Sequence, residues 1–409
     1  MPRASLGALE EHEFRLLFLG RAVSAVGDQL APLALAFAVL EATGSASDLG
    51  FVFAAREVAS IAVLLAAGVW ADRMRRERLM IASNLASFAT QAATGMLLLA
   101  GAAHLWQLLV LQALSGGADG AFQPARNAIT PQVVSPARLQ QANALLQMVA
   151  SVVGVVGPLV AAGIVAAGSP GLALLVDAAT FLPSAAFLAG LHTTAPKRSG
   201  ETFFSDLRGG WSEFRSYEWL WKAVALVCVS NMMGAAYFVF GPYIAKHNLG
   251  GPGAWGIILA ANSAGWIVGG LISTRYRPQR PMLASSLCAM IWPIQTPLLA
   301  WHPNVWIVAL GAAVGGAGLI MGITFWFTTL QSKVPQESLS RVSSYDDLGG
   351  FIFNPLGFAI AGPIGNLIGI TATIIGAATI STTSYLIAAA TPAIRTLRLD
   401  PTPTGDTTA

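Results

Sequence analysis

Ionisable side chains are rare in this chain, and several of them lie inside long apolar segments. A charge within such a segment is unfavourable unless it is paired or functional, so each of these residues is a candidate site. In the first apolar segment, Arg21 and Asp28 are seven residues apart and lie on one face of a helix. The other ionisable residues inside apolar segments are Arg56, Glu57, Asp119, Arg126, Asp177, Asp346 and Asp347.

The carboxyl groups of this set could bind and release protons. Burial favours the protonated form of a carboxyl group, whereas a neighbouring Arg favours the ionised form. A carboxyl group whose partner changes between two conformations can therefore load and release a proton. We predict Asp28 as the first candidate for proton coupling, Glu57 as the second and Asp119 as a further one. The alternative for Asp28 is a static ion pair with Arg21 or Arg56 that holds helices together.

Other charges of the set suit gating or structural roles better. Asp119 and Arg126 are again seven residues apart, which favours a structural or gating role for both. Asp346 and Asp347 stand at the start of the apolar segment 341–368, where they can serve a gate or the N-terminus of a helix.

The composition predicts the element that must position these residues. Hydrophobic residues make up 55% of the 409 residues and charged residues only 11%, whereas a soluble protein has about 25% charged residues. Such a chain cannot cover a globular surface with hydrated side chains, which argues against a soluble enzyme. At about 20 apolar residues per membrane-spanning helix, the hydrophobic share is enough for about ten to twelve spans.

Twelve apolar segments can be read along the chain, six on each side of a polar stretch. They cover 14–40, 48–70, 79–101, 104–125, 140–167, 171–191, 221–245, 254–274, 282–301, 304–330, 341–368 and 370–391. We predict an all-α membrane protein with twelve transmembrane helices in two halves. The N-terminal six-helix bundle covers 1–191, a cytoplasmic amphipathic linker 192–220, the C-terminal bundle 221–394 and a cytoplasmic tail 395–409.

The basic residues predict the orientation. If the N-terminus is cytoplasmic, they gather in cytoplasmic loops and only Lys246 lies in an outer loop. The excess of Arg over Lys, with abundant Ala and Gly, is typical of a bacterial genome rich in G and C. We expect a multi-pass protein of the bacterial cytoplasmic (inner) membrane, with both termini in the cytoplasm.

The two halves resemble each other at an offset of about 200 residues. GVWADRMRRER at 68–78 aligns with GLISTRYRPQR at 270–280, with one Gly and three Arg residues in register. Internal repeats of this type build secondary transporters, whose substrate site lies between the halves. The repeat therefore predicts pseudo-two-fold symmetry. In the linker, FFSDLRGGWSEFRSYEWL at 203–220 has an apolar residue every three or four positions, which predicts an amphipathic helix on the membrane surface.

The sequence resembles the major facilitator superfamily at several motifs. GVWADRMRRERLM (68–80) resembles the loop between the second and third spans of that family. GAFQPARNAITPQVV (120–134), RLQQANALL (138–146), GPLVAAG (157–163) and GRAVSAVGD (20–28) resemble the branch of bacterial macrolide-efflux proteins and siderophore exporters. The resemblance implies the major facilitator fold and transport by alternating access.

The loop motif implies a latch between the halves. By resemblance, Asp72 lies at the N-terminus of a helix in the other half, where the helix dipole and free N–H groups stabilise a carboxylate. Arg73, Arg76 and Arg126 are further possible partners of this carboxylate. The latch would hold the outward-facing state, and its release would permit rocking.

The fifth segment is similar to the antiporter motif of the family. Its residues are Gly154, Gly157, Pro158 and Gly163. A Gly-Pro step bends a helix, and small residues let another helix approach closely. The motif favours export, although Ala161 and Ala162 stand where the family has Gly. A second departure is Gln112, which occupies the place of an Arg used for proton relay in related drug exporters, so that relay cannot be transferred to this chain.

The resemblance also implies that the first, fourth, seventh and tenth spans line a central cavity. Aromatic and Met side chains there suit a large, partly apolar ligand. The alternative for each residue is packing against lipid or the core. The predicted cavity residues are Gln112, Asn231, Met232, Tyr237, Phe238, Phe325 and Trp326.

These observations favour a secondary active transporter over an enzyme. We expect proton-coupled export (antiport) of an amphipathic small molecule such as a drug, antibiotic or siderophore. The alternatives are a lysophospholipid or lipid transporter without proton coupling, and a scaffold that transports nothing. No Gly-rich nucleotide-binding motif is present, so the energy would come from an ion gradient, here expected to be the proton gradient, or from the substrate's own gradient. We expect no cofactor, no metal site and no nucleic-acid partner, only substrate, protons and membrane lipids, with the chain acting as a monomer.

Overall fold

The computed structural model describes residues 7–71, 75–193, 203–301 and 304–398, except for the side chains of 66–71, 127, 203–209 and 340. Every regular element in these ranges is helical. The first half contains α1 (His12–Thr43), α2 (Ala46–Ala71), α3 (Arg76–Leu99), α4 (Leu105–Val133), α5 (Leu139–Ala167) and α6 (Pro170–Ala189). A short helix, α7 (Phe203–Ser216), follows in the predicted linker. The second half contains α8 (Glu218–Ile244), α9 (Pro252–Arg275), α10 (Pro281–Ala289), α11 (Gln295–Trp301), α12 (Val305–Lys333), α13 (Gln336–Phe351), α14 (Asn354–Ile368), α15 (Ile370–Ala390) and the single turn α16 (Pro392–Arg395).

Twelve helical segments form the predicted two-half fold. Within the described residues, nine of them are long and apolar enough to cross a membrane by hydropathy alone. The other three, α2, α3 and α4, have 26, 24 and 29 residues and are therefore long enough to cross. The hydropathy of α3 is low because the helix carries a row of polar side chains. These side chains are buried against neighbouring helices and do not face lipid. The row consists of Ser83, Asn84, Ser87, Gln91 and Thr94.

Two of the predicted spans are broken rather than continuous. Pro281–Trp301 consists of α10 and α11 joined by a 3-10 turn that contains Pro293, and proline lacks the N–H that a continuous helix needs. Gln336–Ile368 breaks between α13 and α14, where Pro355 stands in the first turn of α14. Because of this break, α13 and α14 are separate helices, and residues of both line the cavity described below.

Glycine seams join matching pairs of helices in the two halves. A Cβ atom at Gly116 or Gly120 of α4 would collide with the backbone of Arg56 or Ser60 in α2. In the second half, a Cβ atom at Gly265 of α9, or at Gly269 one turn on, would likewise collide with the backbone of α12. Small residues four apart allow helix backbones to come into direct contact. The matching pair of helices is thus in close backbone contact in both halves, with the glycines on α4 in the first half and on α9, the counterpart of α2, in the second.

The two halves meet at the end of the bundle where α1 ends and α2 begins. A Cβ atom at Gly50 of α2 would strike the carbonyl of Phe358 in α14, and one at Gly362 of α14 would strike the backbone of Ser47 in α2. Asn366 also donates to the hydroxyl of Ser47 at 3.1 Å. Residues 33–40 of α1 are all buried there, whereas farther from this end Asp28 is exposed. The junction is therefore closed at this end, and the space between the helices opens toward the other.

Candidate functional site

A polar network crosses the interior of the first half and begins at an ion pair between Arg56 on α2 and Asp119 on α4. The same guanidinium donates to the side-chain oxygen of Gln112 at 2.9 Å and to the hydroxyl of Ser115 at 3.1 Å. Because the Gly116 seam brings α2 against α4, these three partners lie within reach of one Arg side chain.

The network continues through two amides to a buried carboxyl group. Nε2 of Gln112 donates to Oε1 of Gln91 on α3 at 3.1 Å, and Nε2 of Gln91 donates to Oδ2 of Asp177 on α6 at 2.9 Å. Asp177 has no exposed surface, and its Oδ1 has no hydrogen-bond partner among the described residues. We call Asp119, Arg56, Gln112, Gln91 and Asp177 the carboxyl–amide network.

Asp28 lies beside this network and faces open space. Its side chain is exposed, yet the charged groups around it come from three helices. They are Arg21 on its own helix, Arg56 on α2, and Asp119 and Arg126 on α4. An exposed carboxylate among these groups faces an internal cleft of the protein rather than lipid. Asp28 is therefore open to water or substrate in this conformation.

The structure corrects the pairing inferred from spacing along single helices. Arg56 binds Asp119 across two helices, and among the described residues neither Arg21 nor Arg126 forms an ion pair with Asp28 or Asp119. Nε of Arg126 is buried without a hydrogen-bond partner in this part of the chain. Glu57 is half-buried next to Arg56, with Arg56 and Asp119 as its electrostatic neighbours. The static pair between Asp28 and Arg56 or Arg21 is thus absent from this conformation.

The predicted latch falls largely outside the described residues. Asp72 and Arg73 lie outside the described residues. Arg76 donates to the carbonyl of Ala128 on α4 at 2.6 Å. Arg76 therefore ties the start of α3 to α4 within one half.

The antiporter-like segment of α5 lies between Asp28 and the other half. A Cβ atom at Gly157 would press on the side chain of Gln29, the residue that follows Asp28. Pro158 and Ala162 contact Gly256 of α9 across the junction of the halves. Gly154 approaches the side chain of Ser263 on α9 at ordinary contact distance, whereas Gly163 has open space. Gly157 and Pro158 thus connect the surroundings of Asp28 to the second half.

A cavity of about 400 Å³ lies within the second half. Helices α8, α9, α10, α12, α13, α14 and α15 contribute to its wall. Aromatic side chains form much of that wall, namely Phe238, Trp266, Trp292, Trp326, Phe327, Phe351, Phe358 and Tyr385. Such a wall suits a ligand with a large apolar body.

A few polar groups also face this cavity. Nε1 of Trp326 donates to Oδ2 of Asp346 at 2.8 Å, and Asn231 donates to the carbonyl of Gly350 at 2.9 Å. Asp346 is buried and Asp347 is exposed, and both line the cavity. Among the described residues no Lys or Arg forms an ion pair with either carboxyl group. The cavity therefore joins an aromatic wall to two acidic groups.

Some of the predicted cavity residues lie in the cavity wall and others lie in the protein core. Asn231, Phe238 and Trp326 line the cavity. Met232 is half-buried, with its carbonyl against Gly357 of α14. Tyr237 and Phe325 are buried, because Tyr237 packs against Trp255 and Trp292 and Phe325 packs against Tyr276. Gln112 has no exposed surface and belongs to the carboxyl–amide network instead.

Sequence reasoning missed two members of these sites. Gln91 was overlooked, although the polar residues of α3 recur at 84, 87, 91 and 94, the spacing of a single helix face. Asn354, whose buried Oδ1 has no partner among the described residues, also escaped notice. The polar row of α3 was visible in the sequence, whereas the position of Asn354 depends on the break between α13 and α14.

Comparison with known proteins defines the class. The family model described as Major Facilitator Superfamily matches residues 17–357. The chain therefore belongs to the Major Facilitator Superfamily, and it is a multi-pass membrane transporter related to multidrug efflux pumps.

Two similar relatives are multidrug efflux pumps. The chain is 25% identical to the multidrug efflux pump Tap of Mycolicibacterium fortuitum over 379 residues, which cover 88% of this chain and 90% of the relative. It is 23% identical to the multidrug efflux pump Tap of Mycobacterium tuberculosis over 406 residues, 94% of this chain and 95% of the relative.

Solved structures show the same fold at low identity. The nucleoside transporter NupG matches with a TM-score of 0.75 and 12% identity, covering 93% of this chain and 99% of the other. A bacterial homologue of the iron transporter ferroportin matches with a TM-score of 0.71 and 16% identity, covering 92% and 98%. These matches confirm the predicted two-half fold.

Proposed function

We propose that this chain is a proton-coupled exporter of amphipathic small molecules that carry a positive charge. The observation that carries the proposal is the cavity of the second half, which has aromatic walls and two carboxyl groups, Asp346 and Asp347. The similarity to Tap multidrug efflux pumps supports drug export.

The chemistry of the cavity selects the substrate class. Aromatic faces attract cations, most strongly where water is excluded, and a carboxylate adds charge complementarity. Asp347 is exposed and pairs with no Lys or Arg of the described residues, so it is open to a cation from outside the protein, whereas Asp346 beside it is buried and accepts from Trp326. An apolar body with an amine or quaternary ammonium group fits both features.

Proton coupling is assigned to Asp28 on the basis of its surroundings. Asp28 is exposed, and Arg56 beside it is already paired with Asp119. A change of partners at Arg56 would alter the charge next to Asp28, which is what a proton carrier requires. In the orientation predicted from the basic residues, the closed end faces outward. The open end then receives substrate and releases protons on the cytoplasmic side of the bacterial inner membrane.

The first experiment is a susceptibility panel in a bacterial host that lacks its own efflux pumps. The panel contains cationic, neutral and anionic antimicrobial compounds and is run with and without the chain. We expect raised tolerance to cationic amphipaths only. Unchanged tolerance to every compound, or a gain confined to neutral or anionic compounds, contradicts the proposed substrate class.

The second experiment tests coupling in everted membrane vesicles. Accumulation of the most affected compound should require a pH gradient and should be abolished by nigericin. Asp28→Asn should remove the accumulation, whereas Glu218→Gln, at an exposed carboxyl paired with Lys222 outside both sites, should leave it intact. Full pumping by Asp28→Asn would overturn the assignment of the carrier. Movement of lysophospholipid without dependence on pH would favour a lipid transporter instead.

A further inference from the structure

The carboxyl–amide network ends at the buried carboxyl group of Asp177, which lacks a full set of hydrogen-bond partners among the described residues. Asp177 is fully enclosed between α1, α3 and α6, and it receives one hydrogen bond, from Gln91 to Oδ2. Its Oδ1 stands against Gly27 of α1, where a Cβ atom would collide with it, and this oxygen has no partner among the described residues. An ionised carboxylate in this place would keep one oxygen buried without a donor, which is strongly unfavourable.

The charged groups that face Asp177 do not neutralise it. Its electrostatic neighbours are Asp28 on α1, Arg56 on α2 and Asp119 on α4. Arg56 is engaged by Asp119, and the other two neighbours are acidic. A proton on Oδ1 removes the charge of Asp177 at once, without any change in the surrounding structure.

The direction of hydrogen bonding links Asp177 to Arg56. A guanidinium can only donate, so Gln112 must accept from Arg56 through Oε1 and donate through Nε2. Gln91 must then accept from Gln112 and donate to Asp177. The chain of donors that starts at Arg56 therefore makes Oδ2 of Asp177 an acceptor and leaves Oδ1 as the oxygen that can take a proton.

We infer that Asp177 is a second proton-binding carboxyl group of the transporter, oriented by the chain of hydrogen bonds that runs from Arg56 through Gln112 and Gln91. The inference rests on the proposed proton coupling and extends it from one carboxyl group to two. The proton bonds to Oδ1 and is exchanged with water that reaches it when α1 moves away from α6 at Gly27. The amides orient the carboxyl group and carry no proton themselves.

Infrared spectroscopy of the purified transporter in detergent tests the inference without substrate. A protonated carboxyl group has a C=O stretching band separate from the bands of a carboxylate. At neutral pH the wild type should show such a band, and Asp177→Asn should lose the part of it that comes from Asp177. Ser184→Ala is the matched control, because Asn84 and Ser184 form a hydrogen bond of 2.9 Å on the same α3–α6 contact, two helical turns away. The control should keep the band.

A second variant covers the case in which Asp177→Asn does not fold. Gln91→Met removes the donor to Oδ2 and leaves Asp177 in place, so the band should move to higher frequency as its C=O group loses a hydrogen bond. An identical band in wild type and both variants would overturn the inference.

Transport in proteoliposomes then separates the inference from the proposed function. The wild type and Ser184→Ala should transport with the same proton stoichiometry, and Asp177→Asn should transport with fewer protons per substrate. Transport by the wild type that ignores pH contradicts the proposed function. A wild-type proton count retained by Asp177→Asn contradicts the role of Asp177 alone.

Discussion

The ammonium group of Lys246 donates to the backbone carbonyl of Leu40 at 2.8 Å, across the junction between the two halves. Leu40 lies in the last turn of α1, and its carbonyl also accepts a hydrogen bond of 3.2 Å from the N–H of Gly44, the residue that caps the helix. A cation at this place is also favoured by the helix dipole. The one basic residue predicted in an outer loop therefore fastens the second half to the end of α1.

Lys246→Met should loosen this closed end. The variant loses both the charge and the donor, so the contact between Ser47 and α14 should open more often. The measurement is the rate at which a membrane-impermeant maleimide labels Ser47→Cys, in a background where Cys228 and Cys288 are replaced by Ser. Lys222→Met, which breaks an exposed pair with Glu218, should leave the rate unchanged. Equal labelling with and without Lys246 would contradict the fastening role.

Gly116→Ala should destabilise the first half. The added Cβ atom meets the backbone of Arg56, which cannot give way without separating α2 from α4. Overpacking of this kind costs about 1–3 kcal/mol, and it should appear as a lower Tm of the purified protein. Gly163→Ala is the matched control, since Gly163 has open space around it. Alanine there should raise stability by about 0.5–1 kcal/mol, so a Tm loss of equal size in both variants would count against the seam.

Asp119→Asn and Arg56→Gln should each lower stability, and the double variant should lose less than the sum of both. Hydrogen bonds to charged groups contribute about 1.5–3 kcal/mol. Each single variant leaves one charged or polar partner uncompensated, whereas the double variant leaves neither. Thermal unfolding in detergent of all four proteins measures the coupling. Additive losses would show that the pair contributes no interaction of its own.

The contact between Glu11 and Ser135 should respond to acid. Hydrogen bonds from the hydroxyl and the backbone N–H of Ser135, at 2.7 and 2.8 Å, lower the pKa of the Glu11 carboxyl from its ordinary value of 4.5. A lowered pKa means that the contact is complete above the ordinary value and is lost as the pH falls through the lowered one. Limited proteolysis of the 134–138 loop should therefore increase in acid in the wild type. In Glu11→Gln the loop should be cleaved alike on both sides of this range, and a parallel response in both proteins would refute the role of Glu11.

The sequence predicted which helices cross the membrane better than which side chains meet. The apolar runs and the repeat were enough for twelve segments in two halves, because burial in lipid acts on whole segments. Asp119 and Arg126 lie seven residues apart on one helix, yet Asp119 binds Arg56 on the neighbouring helix. That partner depends on how closely α2 and α4 approach at Gly116, and a single sequence does not give such a distance.

The sequence also predicted only some of the residues that line the cavity. Asn231, Phe238 and Trp326 were predicted for it and line it, whereas Tyr237, one residue before Phe238, turns into the core. Aromatic residues in adjacent positions point to different sides of a helix, and hydropathy does not distinguish a core from a cavity wall.

The contacts between α2 and α14 at the closed end affect how fast this end can open during the transport cycle. Gly50 rests on the backbone of Phe358, and Gly362 rests on the backbone of Ser47, so each helix offers a bare stretch of main chain to the other. Beside these points the rings of Phe53 on α2 and Phe358 on α14 pack edge to face, with their centroids 5.5 Å apart. The rate at which the junction opens should therefore depend on separating this ring pair and on breaking the polar contacts at its rim, Lys246 to Leu40 and Asn366 to Ser47.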